Sequence, residues 1–166
     1  MPPHPVFRAT ELMDMAIRIE KQGQAFYQAC LSTTGNERMR TVFGYLLKQE
    51  IEHARVFSRM KANLKPDQPL PESYPGELHH YLDAFVKGEI FDDPEAAEKL
   101  VQTLEDEEDA VEAALDIEKQ SILFYSGIKS MIRRIEAEEV DRIIAEEHDH
   151  IRRLQSFRVA LRKQES

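Results

Sequence analysis

Six side chains stand where a helical protein cannot leave them uncompensated: Glu20, Glu50, His53, Glu118, Glu147 and His150. Residues three, four and seven apart share one face of a helix. At those spacings Glu20 has Ala16, Ile17, Gly23 and Tyr27, and Glu50 has Leu46, Leu47, Ala54 and Phe57. Glu118 has Ala114, Leu115, Ile122 and Tyr125, and Glu147 has Val140, Ile143, Ile151 and Leu154. Each carboxylate therefore lies within the apolar stripe that its helix must bury. His53 and His150 follow Glu50 and Glu147 by three residues, on the same stripe. Burying an unpaired ion costs several kcal/mol even after relaxation, a large part of a domain's whole stability. The carboxylates must be protonated, paired or bound to cations, and no Lys or Arg shares the stripe at these spacings. A pair of divalent metals resolves the problem. Four Glu bring −4, two M²⁺ bring +4, and two neutral imidazoles complete the set.

The six residues fall in a repeat. Ala16–Tyr27 aligns with Ala114–Tyr125 with seven of twelve residues identical, and Leu46–His53 aligns with Ile143–His150, at offsets of 98 and 97. Two helical hairpins are copies of each other. With turns centred near Thr34 and Arg133, each hairpin carries its Glu residues about 14 to 16 positions from its turn, or ~21 to 24 Å at 1.5 Å per residue. All six side chains can then converge at one height in a four-helix bundle.

The elements that must position them are all helical. Thr10 is expected to cap a helix running to about Leu31, and Asn36 a second one fading near Leu64. A proline-rich stretch follows, with Pro66, Pro69, Pro71 and Pro75. Short helices are expected over Glu77–Val86 and after Asp93-Pro94. Thr103 to Asp106 resembles a capping box opening a long helix to about Met131, and a last helix spans Ile135 to Arg162. The acidic run Glu105–Asp109 suits a first helical turn facing water. No period-2 alternation occurs, so the predicted class is all-α. Residues 1–9 are expected to be a flexible leader, with His4 in it, and 10–163 one domain with a crossover over about 64–103. That crossover is long enough to run back along the bundle.

The chain has 166 residues, enough for one domain with a sizeable core. Its net charge of −9, from 31 acidic and 22 basic residues, argues against general nucleic-acid binding and suits cations. One cysteine, Cys30, excludes an intrachain disulfide and any site of four cysteines, and points to a reducing, cytoplasmic setting. The longest apolar run, Val42–Leu47, is far short of the ~20 residues that cross a bilayer. The opening Met-Pro-Pro-His-Pro lacks the features of a signal peptide.

A lone Glu on each of two helices, with Glu-x-x-His on each of the other two, is the ligand pattern of ferritin-like di-metal bundles. Over about residues 10 to 162 the chain resembles the rubrerythrins of that superfamily. The resemblance implies that Glu50 and Glu147 bridge two iron ions, with manganese or zinc as alternatives. Glu20 and Glu118 would be terminal carboxylates, and His53 and His150 would each bind one ion. Tyr27 and Tyr125 suit hydrogen bonding to those carboxylates. It further implies an oxidoreductase acting on O2 or peroxide, re-reduced by a separate redox protein, and a homodimer. The alternatives are metal binding, storage or delivery without turnover, and a bundle held by a purely structural metal pair. Two departures bear on the activity. Ser121 stands where peroxide-reducing members carry a further Glu, and one cysteine cannot build a rubredoxin-type iron site.

The neighbouring acids Glu52, Glu146 and Asp149 lie about 100 to 160° off the buried stripe and are expected to be solvated or to support the ligands from outside. His79 and His80 read as surface residues of the crossover, His148 as exposed, and Cys30 as a buried small hydrophobe.

Overall fold

In the computed structural model, the described residues are 7–66, 80 and 95–165. They form α1 (Ala9–Thr33), α2 (Glu37–Asn63), α3 (Ala96–Thr103), α4 (Glu107–Ile128), a 3₁₀ turn (Lys129–Met131) and α5 (Arg134–Gln164). No strand occurs among the described residues, and the fold is a helical bundle, the all-α class that the sequence predicts. None of the helices is long and apolar enough to cross a membrane. The leader through residue 6, Asp93-Pro94, His79 and nearly all of the Glu77–Val86 segment lie outside the described residues; His80 is helical and exposed.

The α1–α2 turn is capped as its sequence predicts. Asn36 Oδ1 accepts from the amides of Arg38 at 2.9 Å and Met39 at 3.2 Å, which is worth about 1 kcal/mol. Its Nδ2 also donates to Glu107 at 2.9 Å, tying this turn to the start of α4. Two expected caps are corrected. Thr10 lies inside α1, whose N-cap is Arg8, with the Glu11 carboxylate accepting from the Arg8 amide at 2.6 Å. Thr103 ends α3, its hydroxyl bonded to the Leu100 carbonyl at 2.6 Å, and α4 is capped by Asp106, which accepts from the Asp109 amide at 2.8 Å. The predicted long third helix likewise stops at Ile128 and passes through the 3₁₀ turn before α5.

The core is two apolar plugs with a polar layer between them. One plug joins Leu12, Met13 and Ile19 of α1, Phe57 and Met60 of α2, Phe124 and Ile128 of α4, and Val140 and Ile143 of α5. The other joins Phe26 and Cys30, Phe43 and Leu46, Val111 and Leu115, and Leu154 and Phe157 from the same four helices. The order in which each helix meets the plugs makes α1 and α5 run one way and α2 and α4 the other. α2 ends at the first plug and α4 starts at the second, so the two helices are parallel, and α3 packs on the second plug through Ala97 and Val101. Each fully buried Leu or Phe contributes about 1.5–3 kcal/mol. The rigid plugs fix the height and rotation of everything between them.

Candidate metal centre

All six predicted ligands meet in that middle layer, and all are buried. Their ligand atoms form two overlapping sets, each within 4.8 Å: Glu20, Glu50, His53 and Glu147, and Glu50, Glu118, Glu147 and His150. Glu50 and Glu147 belong to both. His53 Nδ1 lies 2.9 Å from Glu147 and 3.5 Å from Glu20. His150 Nδ1 lies 3.1 Å from Glu147, 3.2 Å from Glu118 and 3.7 Å from Glu50. The two imidazoles stack with ring centres 5.6 Å apart.

Both tyrosines reach across the repeat. Tyr27 Oη donates to Glu118 and Tyr125 Oη donates to Glu20, so each hydroxyl serves the first-helix Glu of the other hairpin. Around the six, Glu52 and Asp149 pair with surface arginines, and His148 is exposed. Glu146 supports the layer from outside, its carboxylate 2.8 Å from His53 Nε2. Ser121 is buried but bonded to its own helix at the Ile117 carbonyl, 3.1 Å away, and adds no oxygen to the cluster. Cys30 is buried in the second plug, and burial pushes its thiol up to about 12.

Gly23 has a role that the stripe alone did not reveal. A β-carbon there would sit 3.0 Å from Glu50 Cδ and closer still to Oε2. Only a residue without a side chain lets the Glu50 carboxylate lie against the α1 backbone. The repeat carries a trace of this, since Gly23 aligns with small Ser121.

Protons occupy the electrostatic place of cations. Burial raises the pKa of Glu50 well above the ordinary carboxylate value, reinforced by Glu20, Glu118 and Glu147. Burial and the Glu118 charge push Glu147 up to about 8. For the histidines burial works the other way, but the carboxylates prevail: Glu147 and Glu20 take His53 to about 11, and Glu118 and Glu147 take His150 to about 9. Glu118 is lowered despite its burial, because Glu147, His150 and Tyr27 all hydrogen-bond to it. Even so, Glu20 Oε2, Glu50 Oε1, His53 Nδ1, Glu147 Oε1 and His150 Nε2 are buried without a hydrogen-bond partner among the described residues. Four of these atoms come from one four-residue set, an arrangement costly in itself and suited to a cation. Oxygen and imidazole donors of this kind fit iron, manganese or zinc.

A family model described as Rubrerythrin matches residues 11–158. A crystal structure described as a ferritin-like diiron-carboxylate protein from Thermotoga maritima superposes with a TM-score of 0.67 at 23% identity, covering 93% of this chain and 97% of that one. No curated protein matches in sequence. The repeat, the bundle and the buried carboxylate–histidine layer accord with the family match, and the chain belongs to the rubrerythrin family.

Proposed function

We propose that the layer holds two iron ions and reduces O2 or peroxide with electrons from a separate redox protein. The observation that carries this reading is the pair of four-residue sets sharing Glu50 and Glu147. In it Glu50 and Glu147 would be shared by both ions, Glu20 and His53 would complete the set for one, and Glu118 and His150 the set for the other. When bound, a ferrous pair would supply two electrons, which with two protons balance the conversion of hydrogen peroxide to two waters. The chain's residues do the rest. Glu147 and the histidines release the protons they hold when the cations enter. Tyr27 and Tyr125 keep one oxygen of each terminal carboxylate occupied and aim the other at the centre. The apolar plugs above and below limit water and side reactions. A separate donor is part of the proposal, in keeping with the family resemblance, since the one cysteine among these 166 residues cannot form a four-cysteine electron-transfer site. A cytoplasmic homodimer belongs to the same proposal, supported by the reduced lone cysteine and the family resemblance.

The second reading, iron binding without turnover, is favoured by one observation: Ser121 contributes no oxygen where peroxide-reducing relatives carry Glu. One experiment separates the two. The protein is loaded anaerobically with two equivalents of Fe(II) and exposed to O2 or H2O2, and Mössbauer spectroscopy counts ferrous and ferric iron. Rapid oxidation of both ions supports the redox reading. Bound iron that stays ferrous leaves binding alone.

A further inference from the structure

The two halves of the centre are copies in every side chain proposed to touch metal. Glu20 matches Glu118, Glu50 matches Glu147, His53 matches His150, and the tyrosines serve them reciprocally. They differ one layer further out. His53 Nε2 is held by Glu146 at 2.8 Å, although the Glu146 side chain is 43% exposed. The position related to Glu146 by the offset of 97 is Gln49, half-buried like Glu146 but uncharged. His150 Nε2 is buried and has no hydrogen-bond partner among the described residues. The ring beside His150 is Tyr45, edge-on at 6.3 Å, and Arg153 stacks over Tyr45 at 4.3 Å. Arg153 is in turn tied to Asp149 at 2.7 Å.

We propose that Glu146 is a positioning residue that makes the two metal positions unequal. The position formed by Glu20, Glu50, His53 and Glu147 fills first, about 10- to 100-fold more tightly than its copy. An acceptor at Nε2 keeps the imidazole proton there, leaves the Nδ1 lone pair facing Glu20 and Glu147, and stops the ring from rotating. Its negative charge also strengthens Nδ1 as a donor. His150 has no such partner and must find its tautomer and orientation on binding. Because the inner ligands are equivalent and Gly23 acts on Glu50, which both positions share, these cancel in the comparison, and the Glu146/Gln49 difference is the one that bears on a single histidine.

This inference rests on the two-metal reading, and its test keeps the two apart. Metal-free protein carrying ¹⁵N-histidine is titrated with Zn(II), with calorimetry giving stoichiometry and affinities and NMR reporting each Nδ1. The expected result is two ions per chain, with the His53 Nδ1 signal moving in the first equivalent and His150 in the second. Glu146→Gln preserves shape at a partly exposed position and narrows the affinity gap about tenfold or more. Glu146→Gln combined with Gln49→Glu moves first filling to His150, an outcome that a merely structural role would not produce. Equal steps in the wild type, His150 filling first, an unchanged gap in Glu146→Gln, or an unchanged order in the double variant would each overturn the proposal. Uptake of fewer than two ions overturns the two-metal reading as well, and it shows in the stoichiometry.

Discussion

Loading this centre with metal must release protons, and the number follows from the site. Near neutral pH, Glu147 at about 8, His150 at about 9 and His53 at about 11 all hold a proton, and Glu50 is displaced in the same direction. Two divalent ions bound to these groups therefore expel about three protons at pH 7 from Glu147, His150 and His53. Between about pH 6.5 and about pH 8.5 the number falls by about one, as Glu147 and then His150 begin to titrate in the metal-free state. Calorimetric titration with Zn(II) in buffers of different ionisation enthalpy measures the count directly. Release of less than about one proton at pH 7 would mean that the ions bind elsewhere, on carboxylates already ionised. The same shifts set the stability of the metal-free fold. The folded pKa values of His53, His150 and Glu147 lie above their ordinary values of 6.5, 6.5 and 4.5, so the metal-free native state binds more protons than the unfolded chain. The stabilisation is full below those ordinary values and is lost as pH rises through about 8, about 9 and about 11. Metal-free protein should thus melt at a lower temperature at about pH 8.5 than at about pH 6.5, whereas metal-loaded protein should not, because cations replace those protons.

Glu50→Ala and Glu147→Ala should each abolish stoichiometric uptake of two ions, measured by elemental analysis after gel filtration, while Glu52→Ala, which faces Arg55 on the surface, should retain both. Gly23→Ala should keep the fold, since Ala is about 1 kcal/mol better than Gly within a helix, and this offsets part of a crowding cost of about 1–3 kcal/mol. Its β-carbon nevertheless displaces the Glu50 carboxylate from both metal sets, so metal affinity should drop with helicity unchanged by circular dichroism. Tyr27→Phe removes the hydroxyl donor to Glu118, and metal affinity should fall about 10-fold, as support of a ligand from outside commonly provides. An unchanged Zn(II) isotherm in Tyr27→Phe would assign that hydroxyl to packing alone.

Much of the centre was legible before any coordinates, because charge and helical period constrain each other. A Glu amid Ala16, Ile17 and Tyr27 has nowhere apolar to hide, and the repeat makes coincidence at four positions untenable. Helix starts were less legible. Thr103 to Asp106 and Asp106 to Asp109 are overlapping capping signals, and the choice fell to the second because α3 runs through Thr103. At α1, Glu11 capping the Arg8 amide takes the place of the Thr10 side chain, a contest that local preference does not decide. Cross-helix contacts were the least legible. That Tyr27 serves Glu118 rather than Glu20, and that Glu146 meets His53, depend on how α1 and α2 are rotated against α4 and α5. The two apolar plugs fix that rotation, and no single helix encodes it. Gly23 belongs here too, since its missing side chain matters only once Glu50 lies against it.

The most direct measurement is a crystal structure of the iron-loaded protein with anomalous scattering recorded at the iron edge. Two peaks about 3.5–4 Å apart are expected in each chain, both touching Glu50 and Glu147, one also touching Glu20 and His53, the other Glu118 and His150. A single peak, or peaks confined to surface acids such as Glu52 or Asp149, would contradict the two-metal centre.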